Sequence, residues 1–226
     1  MPRYCFSQDN EGYFLKDLLN NQRPLRIDFS AADIQRRAAQ AGKSELLLKA
    51  IGARVGLRVL DCTAGLGVDS FLMAAYGCDV TLIEQSTVLS LMLQQAIDRA
   101  SENPGLSNIA RRMQLHQIDA AQFLYTLESI EMSVGALENE TSQYDVIYID
   151  PMFPPRSKSA EVKGSMQVLQ KFVGKTDNVE ELLAKALSTN IRRVVIKRPL
   201  RGGDIDGYTP SFQQKAKSSR FDIYLQ

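Results

Sequence analysis

The sequence predicts an α/β fold: a mostly parallel sheet with helices on both faces. Three observations carry that expectation. From Arg58 onward, strand-like and helix-like segments alternate. The strand-like runs, such as Asp79–Ile83, Asp145–Asp150 and Arg193–Lys197, are apolar almost without interruption. A glycine-containing turn follows the first of these runs and opens a helix. Near-continuous apolar strands are those covered on both faces, and regular alternation of the two element types implies parallel pairing through right-handed crossovers.

Residues 1–30 read as a small N-terminal extension with short strands at Arg3–Phe6, Tyr13–Leu15 and Leu25–Phe29, interrupted by Asp9-Asn10, Gly12 and Pro24. Residues 31–226 read as the main domain. It opens with one helical pattern, Ala31–Ile51, which Ser30 or Asp33 can cap. Strands are then expected at Arg58–Cys62, Asp79–Ile83, Met113–Ile118, Asp145–Asp150 and Arg193–Lys197. Helices are expected at Val68–Tyr76, Thr87–Ala100, Ala120–Ser129 and from about Val179. Glu131–Gln143, rich in Ser, Glu, Asn and Gly, reads as a mobile loop. Arg220–Leu225 alternates like a last strand.

A chain of 226 residues, 44% hydrophobic and 23% charged, can bury a core without disulfides or metals. No run of eighteen apolar residues suggests a membrane span, and the first residues lack the apolar segment of a signal peptide. Three cysteines without metal-type spacing and a single histidine predict reduced thiols, no metal site and a cytoplasmic protein. Net charge is +1, but Pro151–Gln226 carries fourteen Lys and Arg against seven Asp and Glu. A basic C-terminal third beside an acidic remainder suits a docked polyanion, although a solvated charged surface gives the same count.

The first chemical constellation is Asp61-Cys62-Thr63-Ala64-Gly65-Leu66-Gly67-Val68-Asp69. Gly65 and Gly67 let the backbone turn tightly and approach a ligand. Glu84 ends the next strand, where a carboxylate can accept two ribose hydroxyls, and Asp119 ends the third, within reach of an adenine amino group. A dinucleotide fingerprint would have a third glycine where Ser70 stands. Asp61 and Asp69 would also repel a pyrophosphate, whereas they favour the ammonium and sulfonium of S-adenosylmethionine. S-adenosylmethionine is therefore the expected cofactor, with a nicotinamide dinucleotide as the rival. Gly42-Lys43-Ser44 is not a phosphate loop, because Arg37 stands where its first glycine is required and no strand precedes it.

The second constellation is Asp150-Pro151-Met152-Phe153-Pro154-Pro155, a strand running into a proline-rich turn like the Asp-Pro-Pro-Tyr/Phe loop of amino methyltransferases. An exocyclic base amine is a poor nucleophile because its lone pair is delocalised into the ring. Asp150 and a nearby main-chain carbonyl can accept its two N–H groups, holding the nitrogen in line and stabilising developing positive charge. Phe153 offers a stacking face and Pro151 fixes the turn. Lys197 and Arg198, ending the fifth strand, either meet substrate phosphate or a base edge or form structural salt bridges.

With these residues in hand, the chain resembles the ribosomal RNA small subunit methyltransferase J family, guanine-N2 enzymes of 16S rRNA. The matching pieces include Arg26-Ile27-Asp28-Phe29, Arg36-Arg37, Lys49-Ala50-Ile51-Gly52, the Asp61–Asp69 turn, Asp150-Pro151-Met152-Phe153-Pro154, Lys158-Ser159-Ala160-Glu161-Val162-Lys163, Lys197-Arg198-Pro199 and Arg220-Phe221-Asp222-Ile223-Tyr224. The resemblance implies a Rossmann-like class I methyltransferase fold with a mostly parallel seven-stranded sheet. It implies cofactor contacts at Val68, Asp69, Glu84, Gln85, Ala121, Gln122 and Asp150. It implies substrate-facing cations at Arg36, Arg37, Lys158 and Lys163 beside Lys197 and Arg198, with 16S rRNA or the small ribosomal subunit as partner. The chain has Gln35, Val68 and Gln85 where the family pattern has a histidine and two arginines. Rival readings are a DNA adenine-N6 or protein glutamine methyltransferase, a nucleotide-dependent oxidoreductase, and an RNA-binding protein that has lost catalysis.

Overall fold

The computed structural model describes residues 3–19, 23–134, 143–151, 172 and 179–226. Strands β1 (Tyr4–Asp9) and β2 (Gly12–Asp17) form an antiparallel hairpin, longer than the sequence suggests. The third expected N-terminal strand contributes one bridge only, Leu25 to Leu15. The expected single helix is two, α1 (Ala32–Ser44) and α2 (Leu46–Ile51), separated at Glu45, whose backbone is extended. Gly42 and Ser44 are weak helix formers just ahead of the break. Neither Ser30 nor Asp33 caps α1: Ala31 is the N-cap without a side-chain bond, and the Ser30 hydroxyl donates to Asp28 at 2.7 Å.

The main sheet then follows in chain order: β3 (Arg58–Asp61), α3 (Val68–Tyr76), β4 (Asp79–Ile83), α4 (Thr87–Glu102), α5 (Ser107–Ala110), β5 (Met113–His116), α6 (Ala120–Val134), β6 (Val146–Ile149), α7 (Val179–Ser188), β7 (Arg193–Pro199), β8 (Phe212–Lys215) and β9 (Ser219–Leu225). Seven strands lie in the order β5-β4-β3-β6-β7-β9-β8. The first five are parallel, and β9 runs antiparallel to both β7 and β8. The seven-stranded, mostly parallel architecture is therefore as expected, although β8 itself, Phe-Gln-Gln-Lys, and the short α5 escaped the residue patterns. The expected loop at Glu131–Gln143 is helical as far as Val134, and residues 135–142 lie outside the described residues.

Period-two alternation explains the apolar strands. Val59, Val80, Leu82, Val146, Tyr148, Val195, Phe221 and Ile223 enter one buried cluster with α2, α3 and α4. Leu60, Ile83, Ile147, Ile149, Val194, Ile196 and Tyr224 enter the other with α6 and α7. Leu15, Leu25, Ile27 and Phe29 belong to the first cluster, so the N-terminal segment packs on that side of the sheet. Phe29 stacks on Phe71 at 4.7 Å between ring centroids.

The strand order reverses between β3 and β6, and in open α/β sheets the crevice at the carboxyl ends of such a pair is the usual ligand site. Gly67 shapes that crevice. It caps α3 with φ +70°, and a Cβ there would lie 2.5 Å from the buried Leu93 side chain and 3.2 Å from Phe29. Gly67→Ala combines a left-handed conformation with overpacking, so it is expected to destabilise the fold by about 2–4 kcal/mol in urea unfolding. S-adenosylhomocysteine affinity, measured by calorimetry, falls with it.

Candidate active site

The carboxyl ends of β3, β4, β5, β6 and β7 bring most of the singled-out residues to one edge. Asp61 ends β3 and is buried, with both oxygens used inside the turn: Thr63 N–H donates to Oδ1 at 3.1 Å and Ser70 Oγ to Oδ2 at 2.5 Å. Glu84, also buried, accepts the Gly65 N–H at 3.0 Å and the Ser86 N–H at 2.7 Å, tying the glycine turn to the end of β4. Asp119 accepts the Gln122 N–H at 2.9 Å and thereby starts α6; Ala121 is half-buried and Gln122 exposed beside it. Half-buried Val68 opens α3 and Gln85 is exposed after β4. The departure at Gln35 has a local use, since its Nε2 donates to the Phe29 carbonyl at 2.5 Å.

The centre of the edge is an ion cluster. Lys197 Nζ donates to Asp69 Oδ2 at 2.8 Å and to Asp150 Oδ2 at 2.7 Å, so one cation joins the cofactor turn to the proline-rich loop. The Tyr148 hydroxyl donates to the same Asp69 oxygen at 2.8 Å, and Arg37, exposed on α1, approaches Asp69 to 3.9 Å while pairing with Glu45 at 3.2 Å. The Asp150 N–H donates to Thr63 Oγ1 at 2.6 Å, a second tie between the two loops. Of the two readings open for Lys197, the salt bridge is the one observed. Arg198 does not join it, because successive strand residues point to opposite faces; it donates to the Gly203 carbonyl at 2.9 Å. Arg36 is exposed on α1, and Pro151 is buried behind Asp150. Met152, Phe153, Lys158 and Lys163 lie outside the described residues. Sequence reasoning missed Tyr148, Thr63 and Ser70. Tyr148 carried a readable signal, a hydroxyl in an otherwise aliphatic buried strand.

The electrostatics divide the acids. Burial pushes the Asp61 carboxyl up to about 7, helped by the charges of Asp69 and Asp150 and opposed by the Ser70 and Thr63 hydrogen bonds. Burial also raises Asp150, to about 6; Lys197 opposes it and Asp69 adds to it. At Asp69 burial is outweighed by Lys197, Tyr148 and Arg37, and its carboxyl is held below the ordinary range. Lys197, between two carboxylates, is held protonated well above neutrality.

Five carboxylates (Asp61, Asp69, Glu84, Asp119, Asp150) thus line an edge to which Lys197 and Arg37 bring positive charge. That excess fits a cationic ligand and disfavours a pyrophosphate. The SAM-dependent methyltransferase family, SAM_MT, matches residues 3–226. Ribosomal RNA small subunit methyltransferase J of Coxiella burnetii is 40% identical over 205 residues, covering 89% of this chain and 75% of that protein. Its counterpart in Pseudomonas paraeruginosa is 40% identical over 204 residues, covering 89% and 74%. The chain belongs to the ribosomal RNA small subunit methyltransferase J family. A crystal structure of a SAM-dependent methyltransferase from Neisseria gonorrhoeae superposes with a TM-score of 0.70 at 32% identity, covering 94% of this chain and 78% of that one.

In this methyltransferase J family member the cofactor is S-adenosylmethionine, and the acid-lined, glycine-turned edge fits its two positive charges. No helix among the described residues is long and apolar enough to cross a membrane.

Asp61 also gives the fold a pH signature. Its folded value is raised, so the unfolded chain releases its proton first as pH climbs from about 4, and stability is lost progressively until the folded carboxyl ionises near 7. The difference is on the order of 4 kcal/mol at pH 8. Asp61→Asn is therefore expected to change stability little at pH 4 and to raise it at pH 8, read from urea midpoints at both. Equal effects at the two values contradict the expectation.

Proposed function

We propose that this protein transfers a methyl group from S-adenosylmethionine to the exocyclic N2 amine of a guanosine in 16S rRNA, acting in the cytoplasm on the rRNA or on the small ribosomal subunit. The observation that carries the chemistry is the position of Asp150, clamped by Lys197 and Thr63 against the turn that faces the cofactor. The substrate rests on the family, whose curated relatives act on small-subunit rRNA by name. Guanine N2 follows from the family resemblance of the Asp150-Pro151-Met152-Phe153 loop.

The bound cofactor supplies an electrophilic methyl group on a sulfonium. The chain supplies position and charge. Lys197 occupies Asp150 Oδ2, and among the described residues nothing donates to Oδ1, which is left to accept an amine N–H. The acceptor aligns the nitrogen and offsets the positive charge that grows on it. A carboxyl that titrates near 6 is ionised at neutral pH and can take the proton released after transfer. In this reading Phe153 stacks on the base, Glu84 and Asp119 hold the ribose and adenine of the cofactor, and Asp61, Gly65, Gly67, Val68, Asp69, Gln85, Ala121 and Gln122 complete its cradle. Arg36, Arg37, Lys158 and Lys163 are the substrate-side cations, while Lys197 serves the site through its ion pairs with Asp69 and Asp150.

Incubation with methyl-labelled cofactor and under-methylated small subunits tests the reading. Label is expected in 16S rRNA as N2-methylguanosine. Label in DNA adenine or protein glutamine instead, with none in rRNA, replaces the substrate assignment.

A further inference from the structure

The amino-terminal edge of the sheet, opposite the site described above, carries a second feature. A cleft of about 790 Å³ opens there between the starts of β3, β6 and β7 and the end of β9. Arg54, Arg58, Arg192 and Arg193 line it, with Asp145 as its single acidic side chain. Two of the guanidinium groups are fixed. Arg58 grips Asp145 through Nη2 at 3.1 Å and Nε at 3.4 Å, and Arg193 Nη1 donates to the Ala50 carbonyl at 2.8 Å. The Arg193 guanidinium lies over Gly52, where an added Cβ would meet its Cζ at 3.4 Å. The other two face outward. Arg54 is 64% exposed and shares Asp145 from 3.6 Å, and Arg192 is exposed. Farther along the edge, Arg112 and Asp79 pair with each other at 2.7 Å and leave no net charge.

Four guanidinium groups against one acidic side chain is more than register or salt-bridge formation requires, since Arg58 alone satisfies both Asp145 oxygens. Guanidinium groups held in place before binding lose little freedom when they take a phosphate, and their planar forks match phosphate oxygens in pairs. The described carboxylates at the carboxyl edge favour the cationic cofactor, whereas the amino-terminal cleft presents guanidinium groups suited to phosphate. From Arg58 to Asp61, β3 spans only about 10 Å, so a folded RNA can meet both edges at once.

We infer that the Arg54–Arg58–Arg192–Arg193 cleft binds the phosphate backbone of RNA, gripping a strand of the folded substrate other than the one that presents its base. This deepens the function proposed above and rests on it for the identity of the RNA. The cleft supplies affinity rather than chemistry.

The test uses the double variant Arg54→Ala/Arg192→Ala, which removes the two outward cations and leaves the Arg58–Asp145 pair and the catalytic edge untouched. Fluorescence anisotropy of a labelled RNA hairpin is followed for both proteins between about 50 and 200 mM salt. The wild type is expected to bind with strong salt dependence. The variant is expected to lose about 1.4–1.8 from the slope of log affinity against log salt, two phosphate contacts' worth. S-adenosylhomocysteine affinity and circular dichroism stay unchanged. A hairpin that the wild type does not bind, or a variant with the wild-type slope, overturns the inference. Methyl transfer to rRNA by the wild type is assayed in parallel. If arginine-dependent RNA binding is present and rRNA methylation absent, the substrate reading fails and the cleft stands.

Discussion

Asp150→Asn is expected to lower kcat for methyl transfer by about 100- to 1000-fold, the usual effect of removing one group aimed at developing charge. The variant keeps the shape of the side chain but loses its charge. Its amide oxygen turns to Lys197, which leaves the amide NH2 facing the amine that the wild-type oxygen accepts. Two donors then face each other, and the alignment of the nitrogen is lost. Because the interaction strengthens as charge develops, kcat falls far more than the apparent affinity for RNA changes. The pH profile adds a second readout. With burial raising the Asp150 carboxyl to about 6, only the form above that value accepts the amine proton, so wild-type kcat/KM rises through about pH 6 to a plateau. Asp150→Asn should be low and flat across that range. A variant of near wild-type kcat, or one that keeps the same rise, takes Asp150 out of the reaction.

Lys197→Met should have the next largest effect. The substitution keeps the apolar stem and deletes the cation that joins Asp69 to Asp150. Two carboxylates are then left facing each other, with Arg37 at 3.9 Å from Asp69 as partial compensation. Loss of one member of a buried ion pair costs about 3–5 kcal/mol. The side chains here keep 16–34% of their surface exposed, so a loss of about 2 kcal/mol is expected in urea unfolding. The sharper signature is kinetic. Lys197 holds the Asp150 carboxyl down against burial and Asp69, so without it the rise in kcat/KM moves to higher pH. Activity at pH 7 falls, and part of it returns at pH 8.5. An unshifted profile would show that Lys197 only braces the loop.

Both predictions depend on contacts that the sequence did not reveal. Each chemical group was visible beforehand: Asp150 at a strand end, Lys197 at the next, Asp69 after the glycine turn. Their partnership was not, because it joins residues 47 and 128 positions apart. Arg198 shows the same limit in reverse. It is adjacent to Lys197 in the chain, yet the pleat sends it to the other face. The strands and helices of the main domain were legible because each carries its own periodicity. β8 was not: Phe-Gln-Gln-Lys has no apolar run, and it is held as an edge strand by pairing with β9. The split of α1 from α2 was also missed, since a helical pattern continues through Glu45, whose backbone is extended ahead of the buried Leu47, Leu48 and Ile51.

The sequence by itself determined the α/β class, the glycine turn after β3 and the carboxylates at the strand ends, since local periodicity, glycine placement and strand-end carboxylates are short-range properties. Tertiary structure alone decided how the charges are shared. It paired Asp69 and Asp150 with Lys197, left Asp61 buried with a raised proton affinity, and gathered four arginines from two separate stretches at the opposite edge. Coulomb energies and desolvation depend on distances through space, and those exist only once the parallel sheet has brought distant strand ends side by side.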